Sequence, residues 1–304
     1  MGRPVVEIRD LRKSFNGTDA LNGVDLDIER GEIFGLLGPN GAGKTTAIQI
    51  LLGLARPTSG HVSVMGLDPN EDARRIRAHS GYVMQDSVLD IYLTGLENLQ
   101  MHAELYDVPV YEREARVAEV LTWANLEHAV NRLVQNYSGG MKRRLDLASN
   151  LLHRPDLFIL DEPTTGLDIQ TRRHLWELIQ GMKAWGTTVI LTTHYLEEAN
   201  QLCDRVGILM EGQLVALGTP KQLRRELVGD LHHLSVVFRD TPNLEMLDLP
   251  LTPDVNGSEA IFRGHPTDLW ETLRRLQQHQ ADSVYEVQFT QPTLDDVFIR
   301  MTET

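Results

Sequence analysis

The segment from Gly38 to Thr45 is glycine-rich, and its residue types and spacing suit a bound polyphosphate. It matches the P-loop pattern, whose backbone N–H groups surround phosphates and whose following helix presents its N-terminus to the anion. Lys44 would neutralise the β- and γ-phosphates, and the Thr45 hydroxyl would hold Mg²⁺. The segment therefore predicts binding of a polyphosphate together with Mg²⁺. The residues assigned to this site are Gly38, Pro39, Asn40, Gly41, Ala42, Gly43, Lys44, Thr45 and Thr46.

Two carboxylates, Asp161 and Glu162, follow directly after the apolar run from Leu157 to Leu160. A buried strand that ends in this way delivers acidic side chains to the edge where open α/β sheets bind ligands. Two acids after a strand are equally compatible with a solvated loop. Together with the P-loop they favour a site, in which Asp161 would help to hold Mg²⁺ and Glu162 would be the general base for the attacking water.

A second anion site is indicated at Ser138-Gly139-Gly140, where small residues open a predicted helix and expose its first N–H groups. A chain with two anion sites can bind one nucleotide at each of them. Alternatively, it can share its nucleotides with a second copy of itself. The residues alone leave both arrangements open.

The order of these motifs resembles that of the ABC (ATP-binding cassette) ATPases. The P-loop is followed by a Gln, a helical insertion, Ser-Gly-Gly, Asp-Glu-Pro, a Leu-Asp pair and a His, within about residues 4–225. Tyr137 departs from the family, since many members have Leu there, and we expect this position to pack rather than to coordinate. The resemblance implies a head-to-tail dimer, with ATP between the P-loop of one copy and the Ser-Gly-Gly of the other.

The same resemblance implies roles for four further residues. Phe15 is similar to the aromatic residue that stacks on adenine, and Gln85 to the Gln that contacts Mg²⁺ and water. Asp168 is similar to the Asp whose loop crosses the dimer, and His194 to the His at the γ-phosphate. Simpler interpretations remain open, namely a core Phe15, a surface Gln85 and a His194 that only caps its strand.

Two segments, residues 85–99 and the tail from Gln291 to Phe298, resemble the daunorubicin-resistance branch of exporter ATPases. In that branch the partner is a separate transmembrane permease of the ABC-2 type, which implies a location at the cytoplasmic face of the cell membrane. Two other functions stay open. One is an ABC ATPase that acts on a soluble macromolecule. The other is a protein that binds ATP without hydrolysis, which the presence of Glu162 and His194 disfavours.

The charge of the chain restricts its partners. Its 304 residues include 43 acidic and 29 basic side chains, a net charge of -14. Binding to nucleic acid or to anionic lipid needs clustered Lys and Arg, so neither is expected.

The start lacks the apolar segment of a signal peptide, and no run of about 18 apolar residues predicts a membrane span. We interpret the single Cys203 as a small buried apolar side chain.

Apolar runs at 157–160, 188–191 and 206–209 lack alternation and are separated by helical patterns, which is typical of a parallel sheet covered on both faces. The sequence therefore predicts an α/β fold of the P-loop NTPase class. The resemblance adds a RecA-like core, an antiparallel β subdomain and a helical subdomain at about 90–153. Short strands are expected at 5–9 and 26–28 as well.

The composition changes after about Gly229, where lysine disappears and acidic residues dominate. We expect a nucleotide-binding domain over residues 1–228 and a small accessory α+β domain over residues 229–304. A final helix at 293–301 would carry an apolar stripe of Leu294, Val297, Phe298 and Met301. That stripe would pack on its own small sheet, or dock on a second subunit or the permease.

Overall fold

The computed structural model describes residues 3–85, 87–227, 232–242, 244 and 247–290. Two compact units divide between Thr219 and Pro220. The predicted domain boundary at 228/229 lies outside the described residues, so it stays a prediction. The predicted helix at 293–301 and the tail segment from Gln291 lie outside them too.

The first unit contains two sheets and a group of helices. Its strands are β1 (Val6–Phe15), β2 (Thr18–Ile28), β3 (Ile33–Leu37), β4 (Ser59–Val64), β5 (Ser80–Val83), β6 (Leu157–Asp161), β7 (Thr188–Thr193), β8 (Arg205–Met210) and β9 (Gln213–Gly218). Its helices are α1 (Lys44–Leu51), α2 (Ala73–Ala78), α3 (Gly95–Leu105), α4 (Val110–Ala124), α5 (Gly139–Leu151), α6 (Ile169–Gly181) and α7 (Leu196–Leu202).

The larger sheet has six strands in the order β5-β6-β7-β3-β8-β9, parallel except for β9. Every residue of β6 and β7 is buried, as the apolar runs predict for strands covered on both faces, and every residue of β3 is buried as well. Because β3, β5, β6 and β7 run in the same direction, the segments that follow them emerge at one edge. That edge receives the P-loop, Gln85, Glu162 and His194.

A three-stranded antiparallel sheet in the order β2-β1-β4 forms the second layer. Its β1-β2 hairpin is much longer than the short strands predicted at 5–9 and 26–28. Register shifts interrupt the pairing between Ile8 and Leu11, and this irregularity hides the strand alternation in the sequence. The hairpin turns at Asn16-Gly17, where φ is +49° and +85°, as a two-residue hairpin turn requires.

The helical part of this unit lies between β5 and β6 in sequence. Helix α3 begins with a capping box, in which Glu97 N donates to Thr94 Oγ1 at 3.2 Å and Thr94 N donates to Glu97 Oε2 at 2.7 Å. Helix α4 lies in the helical subdomain that the resemblance implies, and it buries one apolar face, made of Val117, Val120, Leu121 and Ala124. Tyr137 is buried, and its hydroxyl donates to the Ala129 carbonyl at 2.8 Å, so this position packs as expected.

The second unit is a small α+β fold. Its elements are α8 (Pro220–Leu227), β10 (His232–Phe238), β11 (Asp254–Asn256), β12 (Glu259–Gly264), α9 (Pro266–Gln280) and β13 (Val284–Thr290). The strands form an antiparallel sheet in the order β11-β12-β10-β13. Apolar residues of β10, β12 and α9 form its core, so that α9 covers one face of the sheet. They include Leu234, Val236, Phe262, Leu269 and Leu276.

Two further expectations concern single features. Cys203 is buried after α7, and burial raises the pKa of its thiol, which agrees with its interpretation as an apolar side chain. In the part of the chain that the structure describes, no helix is both long and apolar enough to cross a membrane.

Candidate active site

A cavity of about 300 Å³ opens at the edge where the parallel strands end. It brings the P-loop, the residue after β5 and the acidic pair after β6 together, although the chain between Thr45 and Asp161 includes the whole helical part. The lining residues are Ala20, Asn40, Gly41, Gly43, Lys44, Thr45, Thr46, Gln85, Asp161 and Glu162. A polar pocket in front of a helix N-terminus is suited to an anionic ligand.

The P-loop passes from β3 into α1 through Gly43. This residue has φ +106°, and a Cβ added to it would lie 2.4 Å from the carbonyl oxygen of Ala20, so only glycine fits. The buried Lys44 follows, and its Nζ donates to the carbonyl oxygens of Gly38 at 2.7 Å and Pro39 at 3.1 Å. Burial lowers the pKa of Lys44, while Glu162 and Asp161 oppose this effect. The loop thus holds a cation at the floor of the cavity.

Thr45 and Asp161 form the oxygen-rich part of the cavity. Thr45 Oγ1 lies 3.4 Å from Asp161 Oδ2, and the Thr192 hydroxyl donates to Asp161 Oδ1. Mg²⁺ prefers oxygen ligands, and it typically binds through one or two carboxylates while it keeps waters and phosphate oxygens. Among the described residues there is no cluster of three His, Cys, Asp or Glu that would hold a metal by itself. A hydroxyl, a carboxylate and the Gln85 amide fit Mg²⁺ that arrives together with phosphate.

Glu162 lies between a cation and an imidazole. Its Oε1 is 3.8 Å from Lys44 Nζ and 3.3 Å from His194 Nδ1, while its Oε2 accepts a hydrogen bond from Thr165 Oγ1 at 3.2 Å. Its backbone has φ +47°, and its N–H donates to Thr192 O at 3.1 Å. This conformation turns the chain sharply after β6 and leaves the carboxylate on the cavity wall, where it can accept a proton from water.

The second predicted anion site lies at the start of α5. Ser138 is the N-cap of this helix, and its hydroxyl accepts from Met141 N at 3.2 Å. A Cβ on Gly140 would lie 2.4 Å from Cγ2 of Thr171 in α6. Thr171 in turn donates to both carboxylate oxygens of Asp168, through N at 3.0 Å and Oγ1 at 2.6 Å. Thr171 therefore brings the Ser-Gly-Gly segment and Asp168 close together.

The structure divides the predicted residues into two groups. The first group lines the cavity and consists of Asn40, Gly41, Gly43, Lys44, Thr45, Thr46, Gln85, Asp161 and Glu162. The second group is not among its lining residues and consists of Phe15, Gly38, Pro39, Ala42, Ser138, Gly139, Gly140, Asp168 and His194. Phe15 is 47% exposed at the end of β1, with Lys13 Nζ 4.5 Å from its ring centroid, so it is not a core side chain.

Several residues of the site were not predicted. The hydroxyl of Thr192 binds Asp161, because residues 161 and 192 are partners in the β6-β7 ladder. Burial and then the neighbouring Asp161 raise the pKa of Tyr82 to about 12, so this phenol stays protonated. Arg143 of α5 donates to backbone carbonyls at both β5 and β6. The positions of Thr192, Tyr82 and Arg143 beside the site depend on the order of the strands, and no local sequence signal identifies these residues.

Comparisons with known proteins show which family the chain resembles in sequence and in fold. The sequence pattern of the ABC transporter family matches residues 21–165. The daunorubicin resistance ATP-binding protein DrrA3 of Streptomyces coeruleorubidus is 38% identical over 99% of this chain and 97% of that protein. The Nod factor export ATP-binding protein I of Ralstonia nicotianae is 37% identical over 98% of this chain and 94% of that protein.

Among solved structures, the dimeric post-hydrolysis ATP-binding cassette MJ0796 bound to ADP and Pi is similar with a TM-score of 0.63 and 28% identity. The similarity covers 70% of this chain and 98% of that one. The full-length relatives, the fold and the motif positions lead to one conclusion: the chain belongs to the ABC transporter family, as an ATP-binding subunit of the branch that includes daunorubicin-resistance and Nod factor export proteins.

Proposed function

We propose that this chain hydrolyses ATP with Mg²⁺ and that Glu162 is the general base. The observation that carries the proposal is the position of the Glu162 carboxylate on the cavity wall, 3.3 Å from His194 Nδ1 and 3.8 Å from Lys44 Nζ. An acceptor at this place can orient a water molecule and take its proton. His194 would steady the carboxylate and contact the γ-phosphate.

The other residues of the site would bind the phosphates, Mg²⁺ and the adenine ring. Lys44 would exchange its carbonyl partners for phosphate oxygens, and Thr45, Gln85 and Asp161 would hold Mg²⁺. When bound, Mg²⁺ neutralises the charge that develops on the phosphates. Phe15, half exposed at the end of β1, would stack on the adenine ring.

We further propose that two copies act as a head-to-tail dimer. Ser138, Gly139 and Gly140 are not among the residues that line the cavity of their own chain, which supports a role opposite the P-loop of a second copy. Asp168 would then lie at the contact between the copies. The dimeric cassette MJ0796 offers a precedent within the same fold.

The names of the relatives support export as the process that is driven. We infer that the chain works at the cytoplasmic face of the membrane, bound to a separate ABC-2-type permease. In this scheme residues 1–228 form the nucleotide-binding domain, and residues 229–304 form an accessory domain that the chemistry does not need.

The test is phosphate release from ATP by the purified full chain, with Mg²⁺ and with excess EDTA. We expect turnover that requires Mg²⁺. Absence of turnover in both the isolated chain and its complex with a co-expressed permease would contradict the proposal. The permease assignment is tested by co-purification of the two chains in detergent, and it fails if they do not associate with or without ATP.

A further inference from the structure

Arg143 is a buried cation in α5, one turn beyond the Ser-Gly-Gly segment. It is only 8% exposed. Its guanidinium binds the backbone, and each of its three nitrogens has a carbonyl partner. Nε donates to Pro163 O at 2.9 Å, Nη1 to Met84 O at 2.6 Å, and Nη2 lies 3.4 Å from Asp161 O.

These three carbonyls belong to residues that are adjacent in sequence to Glu162 or to Gln85. Asp161 and Pro163 flank Glu162, and Met84 directly precedes Gln85. A guanidinium is planar and its donors have fixed directions, so three simultaneous bonds fix the relative positions of their acceptors. Glu162 adopts φ +47°, a conformation that surrounding contacts must maintain. Arg143 supplies such contacts on both sides of it.

The charge of Arg143 is balanced within its own helix. Asp146 Oδ2 lies 3.6 Å from Arg143 Nη1, and Asp146 is 1% exposed. A buried cation without a partner is strongly destabilising, so this pair keeps the guanidinium at its place beneath the site. Asp146 balances the charge, but the remaining N–H groups of a buried guanidinium also need acceptors. Here those acceptors are three backbone carbonyls, and all three lie in the active segments.

We propose that Arg143 is a positioning residue for ATP hydrolysis, which sets Glu162 and Gln85 relative to each other from the helix that begins at Ser138. The inference rests on the proposed role of Glu162 as general base. Arg143 does not line the cavity, so its loss should affect the chemical step far more than the binding of ATP.

The experiment compares Arg143→Met, Arg143→Lys and the neighbour Arg144→Met in the full chain. Arg144 is a matched control, because its Nη1 donates to the carbonyls of Ala124 at 2.8 Å and Asn125 at 3.1 Å, at the end of α4. For each variant, kcat is measured by phosphate release and the Kd of ATP by fluorescence titration without turnover. Thermal unfolding reports the fold.

We expect Arg143→Met to lower kcat by about 30-fold or more, because small displacements of catalytic groups are costly, and to change the Kd of ATP by less than about threefold. Arg143→Lys should recover part of kcat, since an ammonium reaches fewer of the three carbonyls. Arg144→Met should lower the unfolding temperature while its kcat stays within about twofold of wild type, because its bonds lie outside the catalytic geometry.

A folded Arg143→Met variant with wild-type kcat would overturn the inference and leave the proposed function intact. Equal losses of kcat in Arg143→Met and Arg144→Met would overturn it too, since they would show a general structural effect. If Arg143→Met does not fold, a wild-type kcat of Arg143→Lys would likewise overturn the inference. Failure of the proposed function itself is distinguishable, because Glu162→Gln would then hydrolyse ATP as fast as wild type.

Discussion

Nδ1 of His194 lies 3.3 Å from Oε1 of Glu162. Each residue lies just beyond its strand, β6 for Glu162 and β7 for His194, and these strands are parallel neighbours in the sheet. The pair is therefore formed by the sheet itself, and the P-loop arrives at the same edge from β3, on the other side of β7. A proton acceptor, an imidazole and a cation thus meet beside one cavity.

The first prediction concerns Glu162→Gln. An amide has nearly the same shape as the carboxylate but is a poor proton acceptor, so kcat should fall by about 100-fold or more while ATP still binds. The variant should accumulate as an ATP-bound dimer, which size-exclusion chromatography detects. Glu177→Gln, on the exposed side of α6, is the control and should behave as wild type. Undiminished turnover by Glu162→Gln would exclude the general-base assignment.

Lys44→Ala should lose nucleotide affinity as well as rate. Lys44 would neutralise phosphate charge that is already present before the reaction, so its removal weakens the ground-state complex. We expect the Kd of ATP to rise by about tenfold or more, measured by fluorescence titration. Lys183→Ala removes a surface pair with Asp204 and should leave the Kd unchanged. If Lys44→Ala bound ATP normally, the phosphate role of Lys44 would be wrong.

The shared-site arrangement can be tested by mixing two inactive variants. A Ser138→Arg chain keeps its P-loop, and a Lys44→Ala chain keeps its Ser-Gly-Gly segment. A heterodimer of the two would contain one intact composite site, so partial activity should return on mixing. Phosphate release is measured at several mixing ratios, with each variant alone as the control. If both variants fold and no ratio restores activity, the two anion sites do not combine across a dimer.

Acid stability should depend on His153. Burial lowers the pKa of this side chain from 6.5 to about 4, and its ring stacks on Tyr106 with centroids 4.1 Å apart. Its stabilising contribution is therefore present above pH 6.5. This contribution is lost as the pH falls toward 4, because His153 binds a proton at a higher pH in the unfolded chain than in the folded chain. The effect on the free energy of unfolding is at most about 3 kcal/mol, and partial exposure reduces it.

The measurement is urea unfolding at pH 7.5 and pH 5. His153→Phe should show a smaller loss of stability between these pH values than wild type. The exposed His128→Phe should show the same loss as wild type. An identical pH dependence in His153→Phe and wild type would contradict the assignment.

The parts of the site that are continuous in sequence could be predicted from it. The P-loop needs only eight successive residues, and the acidic pair follows an unmistakable buried strand. The placement of Asp161 next to Thr192 depends instead on the pairing of β6 with β7, and the bonds of Arg143 depend on how α5 lies against β5 and β6. Such contacts arise from strand order and helix packing, which local patterns do not encode.

The difference between local patterns and tertiary contacts also explains which strands of the fold were predicted and which were not. Strands β6 and β7 are buried on both faces and contain plain apolar runs, so their prediction succeeded. Strand β9 alternates between exposed and half-buried residues at the edge of the sheet, and its antiparallel return after β8 was missed. Strands that are buried on both faces could therefore be predicted from the sequence, whereas a partly exposed edge strand could not.

The backbone of Glu162 has a consequence for the evolution of stability. A left-handed φ of +47° costs a side chain with a Cβ about 1 kcal/mol or more relative to glycine. Replacement of Glu162 by glycine would relieve this strain, at the cost of the proton acceptor. With Glu162 as the proposed general base, the wild-type residue represents a compromise in which the chain gives up folding stability for catalysis. Selection for thermal stability alone would lead away from glutamate at this position.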